Sequence, residues 1–239
     1  MQIGDFEIGE DGVFVIAEFG TNIFGSANTE PVLSRFCHAA KDAGADAVKV
    51  QLYKHDLFPI REWDMKSQME FPRDLFPGFC ELAKGLGLVV GASVFDEEAV
   101  ELCAEHADYI KLATREADNF DLLKLSRSTG LPIIRSVDWR RTKFSDREDD
   151  DVVLGCVPIY PTPPRREYLP LSLNYILRRP AGWSSHSQGY ADVVCAVEEG
   201  AVVIEKHFCM HPSDYESRWS LMPRDFAEMV WNIRAVEEF

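Results

Sequence analysis

No stretch of this 239-residue chain approaches the run of about 18 apolar residues that a membrane-spanning helix needs, so no membrane partner is expected. The opening MQIGDFEIGEDG lacks the basic flank and apolar run of a secretion signal. Positive charge is scarce: 25 Lys and Arg stand against 40 Asp and Glu, for a formal net charge of -15. Such a surface repels nucleic acid and anionic membrane, which excludes both as expected partners. An anionic substrate would need a local basic pocket working against the overall field. There is also no CxxC pair. Cys37, Cys80, Cys103, Cys156, Cys195 and Cys209 are scattered, most of them inside expected helices or strands. That spacing argues for buried thiols in a reducing, cytoplasmic setting and against a disulfide framework. Linkers, repeats and low-complexity tracts are absent, so residues 1–239 read as one domain.

What is present is an alternation. Short apolar, β-branched runs at 13–19, 47–53, 88–94, 109–114, 131–137, 152–157, 182–187 and 201–208 read as strands. Helical spacing of apolar residues falls between them, at 29–43, 74–86, 97–106, 121–130 and 189–200. Residues 223–239 close the chain as an amphipathic helix with Phe226, Met229, Val230, Ile233 and Val236 on one face and Pro223 near its start. Eight strands alternating with helices in a chain of this length predict a closed TIM (β/α)8 barrel. The charged segment DWRRTKFSDREDDD has no apolar stripe, so the fifth helix is expected to be short or missing. The proline-rich segment after 157 leaves room for a short helix near 171–179.

In such a barrel the chemistry gathers where the strands end. The expected ends carry Glu18, then Lys49 and Gln51, Ser93, then Lys111, Thr114 and Glu116, Ser136, then Ser184 and His186, and finally Lys206 and His207. Each has a plainer reading, since a strand lysine often sits at a solvated edge. Two lysines among hydroxyls nevertheless suit a phosphate or carboxylate, because lysine supplies charge and the hydroxyls supply hydrogen bonds. Glu18 is either a buried acid paired to a lysine or a general acid/base. His186 and His207 fall on neighbouring strands and could share one divalent ion, with waters completing its shell. His38, His55, His106 and His211 have no such placing.

Several stretches together resemble the N-acetylneuraminate (sialic acid) synthases and their pseudaminate and legionaminate relatives. They are IAEFGTNIFGS (16–26), AGADAVKVQLYK (43–54), YIKLATREADN (109–119), PIIRSV (132–137), IYPTP (159–163), GWSSHSQG (182–189), VVIEKHFCM (202–210) and SLMPRDFAEMV (220–230). The resemblance implies a TIM barrel that condenses phosphoenolpyruvate with an aldose-type sugar to give a 2-keto-3-deoxy sugar acid and phosphate. It implies a divalent metal on His186 and His207, Mn2+ first, with Mg2+ and Co2+ as alternatives. It implies phosphoenolpyruvate on Lys49, Ser93, Lys111, Thr114, Ser136 and Ser184. Glu18, Glu116 and Lys206 would act near the reacting atoms, and Asn22, Gln51, Tyr160 and Glu216 would face the sugar.

The pattern also departs from the family. Ile23 replaces a histidine, Thr114 a serine, Pro158 an asparagine and Ser185 an aspartate, and Glu216 stands where an aspartate is usual. The loop between Lys54 and Phe71 is shorter than in the family. The family's C-terminal antifreeze-like domain is expected to be missing, leaving a homodimer through barrel faces or a separate chain supplying that domain. These departures keep two other readings open, a barrel without turnover that serves as a binding or scaffold subunit, and an aldolase with Lys111 as its Schiff base.

Overall fold

The computed structural model describes residues 1–23, 30–138, 151–171 and 181–237. A short antiparallel hairpin opens the chain, with β1 (Gln2–Ile3) paired to β2 (Phe6–Glu7). Eight parallel strands follow: β3 (Phe14–Glu18), β4 (Ala47–Leu52), β5 (Val89–Val94), β6 (Tyr109–Leu112), β7 (Ile133–Asp138), β8 (Val152–Cys156), β9 (Ala181–Ser185) and β10 (Ala201–His207). They close into a barrel in chain order, β10 pairing back onto β3, so the fold is the TIM barrel the alternation predicts. The expected strands all form, within about two residues of their expected ends.

The outer layer holds α1 (Glu30–Asp42), α2 (Trp63–Ser67), α3 (Phe76–Gly85), α4 (Glu97–His106), α5 (Phe120–Ser128), α6 (Ala191–Glu198) and α7 (Pro223–Glu237). Local chemistry sets several starts. Asp96 caps α4 by accepting from Ala99 N at 2.9 Å, and Asn119 caps α5 by accepting from Leu122 N at 3.1 Å. The hairpin and α2 were not anticipated, because two-residue strands and a single helical turn leave no periodicity to read. The expected fifth helix, over 139–150, and the short helix near 171–179 lie outside the described residues but for Leu171.

The two-residue period of a strand divides its side chains between two environments. On β3, Val15 and Ala17 face the helices and join the large apolar shell, while Phe14 and Ile16 face into the barrel. Inside, the lower half is apolar: Phe14, Ile16, Ala47, Tyr109, Ile134, Val152, Leu154 and Val203 pack together, with Ile3 and Ile8 closing the base. Tyr109 fits because position 91 is glycine; a Cβ there would lie 2.2 Å from its ring. One or two inward positions further along each strand, the filling turns polar. That change of layer is what creates the site.

Candidate active site

At the C-terminal mouth, the inward positions above the apolar layers deliver Glu18, Lys49, Gln51, Ser93, Lys111, Ser136, Ser184, Glu205 and His207 to one cavity of about 50 Å3. Ala113 and Thr114 after β6, Tyr160 after β8 and His186 after β9 complete its lining.

The floor is a buried ionic network. Lys49 pairs with Glu18 and donates to Ser93 Oγ at 2.8 Å. Lys111 donates to Ser136 Oγ at 2.7 Å and to Glu205 Oε1 at 3.1 Å. Glu205 joins the two halves: Oε1 also accepts from Ser184 Oγ at 2.7 Å, and Oε2 lies 3.6 Å from Lys49 Nζ. Burial pushes the Glu205 carboxyl up, but Lys111 and Lys49 outweigh it and hold it well below the usual carboxylate range. Burial likewise pulls Lys49 down, and Glu18 and Glu205 together lift it above the usual lysine range. For Lys111 the balance falls the other way. Burial, helped by the charge of Lys49, keeps it below that range despite Glu205. Two ammonium groups and two carboxylates therefore neutralise one another.

Above the floor stand the histidines, with ring centroids 5.5 Å apart. His186 Nδ1 sits 3.0 Å from Val157 O, and His207 Nδ1 sits 2.8 Å from Glu216 Oε2. Both acceptors are oxygens, so Nδ1 is the donor in each ring, and in the neutral form of each the lone pair lies on Nε2. An outer-shell oxygen on Nδ1 is the usual support for an imidazole that ligates metal through Nε2. The pair therefore fits a divalent ion with the rest of its shell from water or substrate. Among the described residues no cluster of three or more His, Cys, Asp or Glu is assembled for a metal. Burial and the neighbouring His207 push His186 down to about 3, so its ring is neutral at physiological pH. Gly20 makes the His207 support possible. Its φ is +52°, and a Cβ there would lie 1.9 Å from Glu216 Oε2.

Four of the expected site residues lie outside the cavity lining. Lys206 has the outward parity of β10; it donates to Ser185 Oγ at 3.0 Å and Ser187 O at 2.7 Å, outside the cavity. Burial pushes its ammonium down to about 8 against the pull of Asp192. Asn22 is used up in holding the segment after β10, donating to Phe208 O and Ser220 Oγ and accepting from Glu216 N. Glu216 stands behind His207, not in the cavity lining. Glu116 is buried in the turn after β6, bound by Asn119 Nδ2 at 2.8 Å, and is likewise outside the lining.

Two departures from the family pattern fall away from the cavity. Ser185 faces outward to Lys206 and Asp192, and Ile23 packs into the apolar shell. Glu205 was missed as a site residue. Its signal was there in the alternation of β10, since Glu205 and His207 share one face and Lys206 has the other.

Comparison with known proteins shows the family and supports the fold. The NeuB family model matches residues 36–239. A pseudaminic acid synthase of Campylobacter jejuni is 30% identical over 268 residues, covering 99% of this chain and 77% of its own length. An uncharacterized protein of Methanocaldococcus jannaschii is 30% identical over 260 residues, covering 100% of this chain and 75% of its own. Among solved structures, an N-acetylneuraminic acid (sialic acid) synthetase from Leptospira borgpetersenii superposes with a TM-score of 0.88 at 24% identity, over 100% of this chain and 88% of that one; this supports the fold. With a closed barrel, a polar mouth at the expected strand ends and a family match over most of its length, the chain belongs to the NeuB family.

Proposed function

We propose that this protein condenses phosphoenolpyruvate with an aldose-type sugar, in a reaction that depends on a divalent metal, and releases phosphate with a 2-keto-3-deoxy sugar acid. The observation that carries the reading is one cavity holding two buried lysines among serine hydroxyls below two histidines with free Nε2 atoms. The family membership and the synthase names of its relatives support the same class.

Phosphoenolpyruvate brings a phosphate and a carboxylate, and Lys49 and Lys111 with Ser93, Ser136 and Ser184 are the groups that bind them. To do so the lysines exchange Glu18 and Glu205 for substrate oxygens. The low-dielectric floor makes that exchange strong and fixes the orientation of the enol carbon. Carbon 3 forms the new bond to the aldehyde carbon, the aldehyde oxygen takes a proton, water adds at carbon 2, and phosphate leaves. Glu18, released from Lys49 and still held by Gln51 Nε2 at 3.0 Å, is the group placed to move the proton. Mn2+, or Mg2+ or Co2+, held by His186 and His207, would supply Lewis acidity toward the aldehyde.

The deciding experiment is phosphate release from phosphoenolpyruvate with Mn2+ across a panel of aldoses, with His207→Ala alongside. Release that needs a sugar, the ion and His207 is expected. No release with any sugar, while phosphoenolpyruvate still binds, would replace this reading with that of a binding subunit. The lowered Lys111 also keeps a Schiff-base aldolase in view. Borohydride with pyruvate should leave Lys111 unmodified, and a reduced adduct there would favour the aldolase.

A further inference from the structure

The two histidines of the mouth come from different strands, and the backbone ladder between those strands stops just short of them. β9 and β10 pair Glu205 with Ser184 and Lys206 with Ser185, and that is the last rung. His186 and His207 are the next residues, and their surroundings then diverge. His207 is level with Glu18 on β3. His186 turns toward the segment after β8, where its carbonyl accepts from Thr162 N at 2.8 Å and its Nδ1 meets Val157 O at 3.0 Å. Past that rung, the sheet no longer sets the distance between the two rings.

Lys206 spans the gap. Its backbone is the residue before His207, and its Nζ donates to Ser185 Oγ at 3.0 Å and to Ser187 O at 2.7 Å, one residue on each side of His186. One side chain thus grips the chain before and after one histidine while its own backbone carries the other. The gripped residues are held in turn by Asp192 in the first turn of α6. Its Oδ1 accepts from Ser185 Oγ at 3.1 Å and from Ser187 Oγ, and its Oδ2 from Trp183 Nε1 at 2.8 Å.

Packing does not call for a charge at this place. Ile204 and Phe208, on the same outward face of β10, join the apolar shell, and Lys206 between them is 0% exposed. Taking an ammonium out of water is costly, and an apolar side chain of similar volume would fill the space at least as well. Neither Lys206 nor Asp192 lines the cavity, so the charge is not there to meet a substrate. Its hydrogen bonds all go to the residues that frame His186.

We propose that Lys206 is a positioning residue: through Ser185 and Ser187 it holds His186 at the distance from His207 that one shared ion requires. Val157 O orients the His186 ring, and Lys206 fixes the backbone that carries it. The inference rests on the reading that His186 and His207 hold a divalent ion.

The test compares wild type with Lys206→Met, and with Ile233→Ala on the outer helix α7 as a control for lost stability. Mn2+ binding is followed by the free-ion signal in paramagnetic resonance, and the coordination geometry by the visible spectrum of bound Co2+. Lys206→Met should weaken Mn2+ binding by about tenfold and alter the Co2+ spectrum. At saturating Mn2+ its KM for phosphoenolpyruvate should stay within about twofold, because Lys49 and Lys111 are untouched. Ile233→Ala should melt earlier than wild type with the same Mn2+ affinity and Co2+ spectrum. If Lys206→Met does not fold, Ser185→Ala decides in its place: it removes one of the two acceptors, leaves the ammonium, and should weaken Mn2+ binding by about threefold. A folded Lys206→Met, or Ser185→Ala in its place, with wild-type Mn2+ affinity and Co2+ spectrum would overturn the inference and leave the metal reading standing. Wild type without Mn2+ binding that His207→Ala abolishes would remove both.

Discussion

A single proton position decides what His207 can do. With Glu216 on Nδ1, the ring offers a lone pair at Nε2; without it, the tautomer is free to reverse. Glu216→Ala should therefore weaken Mn2+ binding by about 10–100-fold, followed by the free-ion signal in paramagnetic resonance titrations. Gly20→Ala should do the same from the other side, because its Cβ would occupy the place of Glu216 Oε2. Unchanged Mn2+ affinity in both variants would deny Glu216 any role behind a metal ligand. Glu205 is a different kind of residue, since two buried ammonium groups depend on it. Glu205→Gln can still accept from Ser184 but leaves Lys49 and Lys111 sharing one carboxylate. Breaking a buried pair in this way should lower unfolding free energy by about 3–5 kcal/mol in urea titrations. A loss under about 1 kcal/mol would show that the lysines find other compensation.

The elements carry these residues through the parity of a strand and the caps of the helices around it. Helix α4 begins on Asp96, which also holds Arg73 from the turn before α3. Burial pushes the Asp96 carboxyl up, but Arg73 and the Ala99 amide outweigh it, so its folded pKa lies below its unfolded one. Stability from such a group is complete above the unfolded pKa and is lost as pH falls through the folded one. Asp96→Ala should cost about 1–2 kcal/mol at neutral pH, as other cap removals do. Its penalty should shrink below about pH 4, where the wild type loses the same contribution. A penalty independent of pH across that range, in urea titrations from pH 7 to pH 3, would mean that Asp96 acts by packing alone. Parity also sorts the strand ends at this scale. IEKHF reads as three adjacent polar residues, yet a strand can point only alternate ones inward, and Lys206 lost that contest to Glu205 and His207.

Across the whole molecule, closure of the barrel separates a stabilising base from a reactive mouth, and the same closure hides the cysteines. All six are free thiols. Burial pushes Cys37, Cys80 and Cys209 up to about 12 and Cys156 up to about 11, and Cys103 higher still. Cys195, on α6, is the partly exposed one. A thiol-disulfide dye at pH 8 should therefore modify only Cys195 quickly in the native protein and all six in denaturant. Rapid modification of several native thiols would contradict a closed, well-packed outer shell.

The sequence by itself determined the barrel, the order of its strands and most of the mouth. Periods of 2 and 3.6 are local, and a βαβ alternation of eight units leaves few other ways to bury every apolar face. Glu18, Lys49, Ser93, Lys111, Ser136, Ser184, His186 and His207 were legible because each stands at the end of such a run. Only the tertiary structure decided what those residues touch. Asn22 and Glu216 are nearly 200 residues apart in the chain and meet because β10 pairs beside β3, with His207 level with Glu18. Glu205 became the link between two lysines only when three strands brought Lys49, Lys111 and Ser184 around it. Hydrogen-bond partners and charge balance depend on distances across the closed barrel, and no periodicity along one strand encodes them.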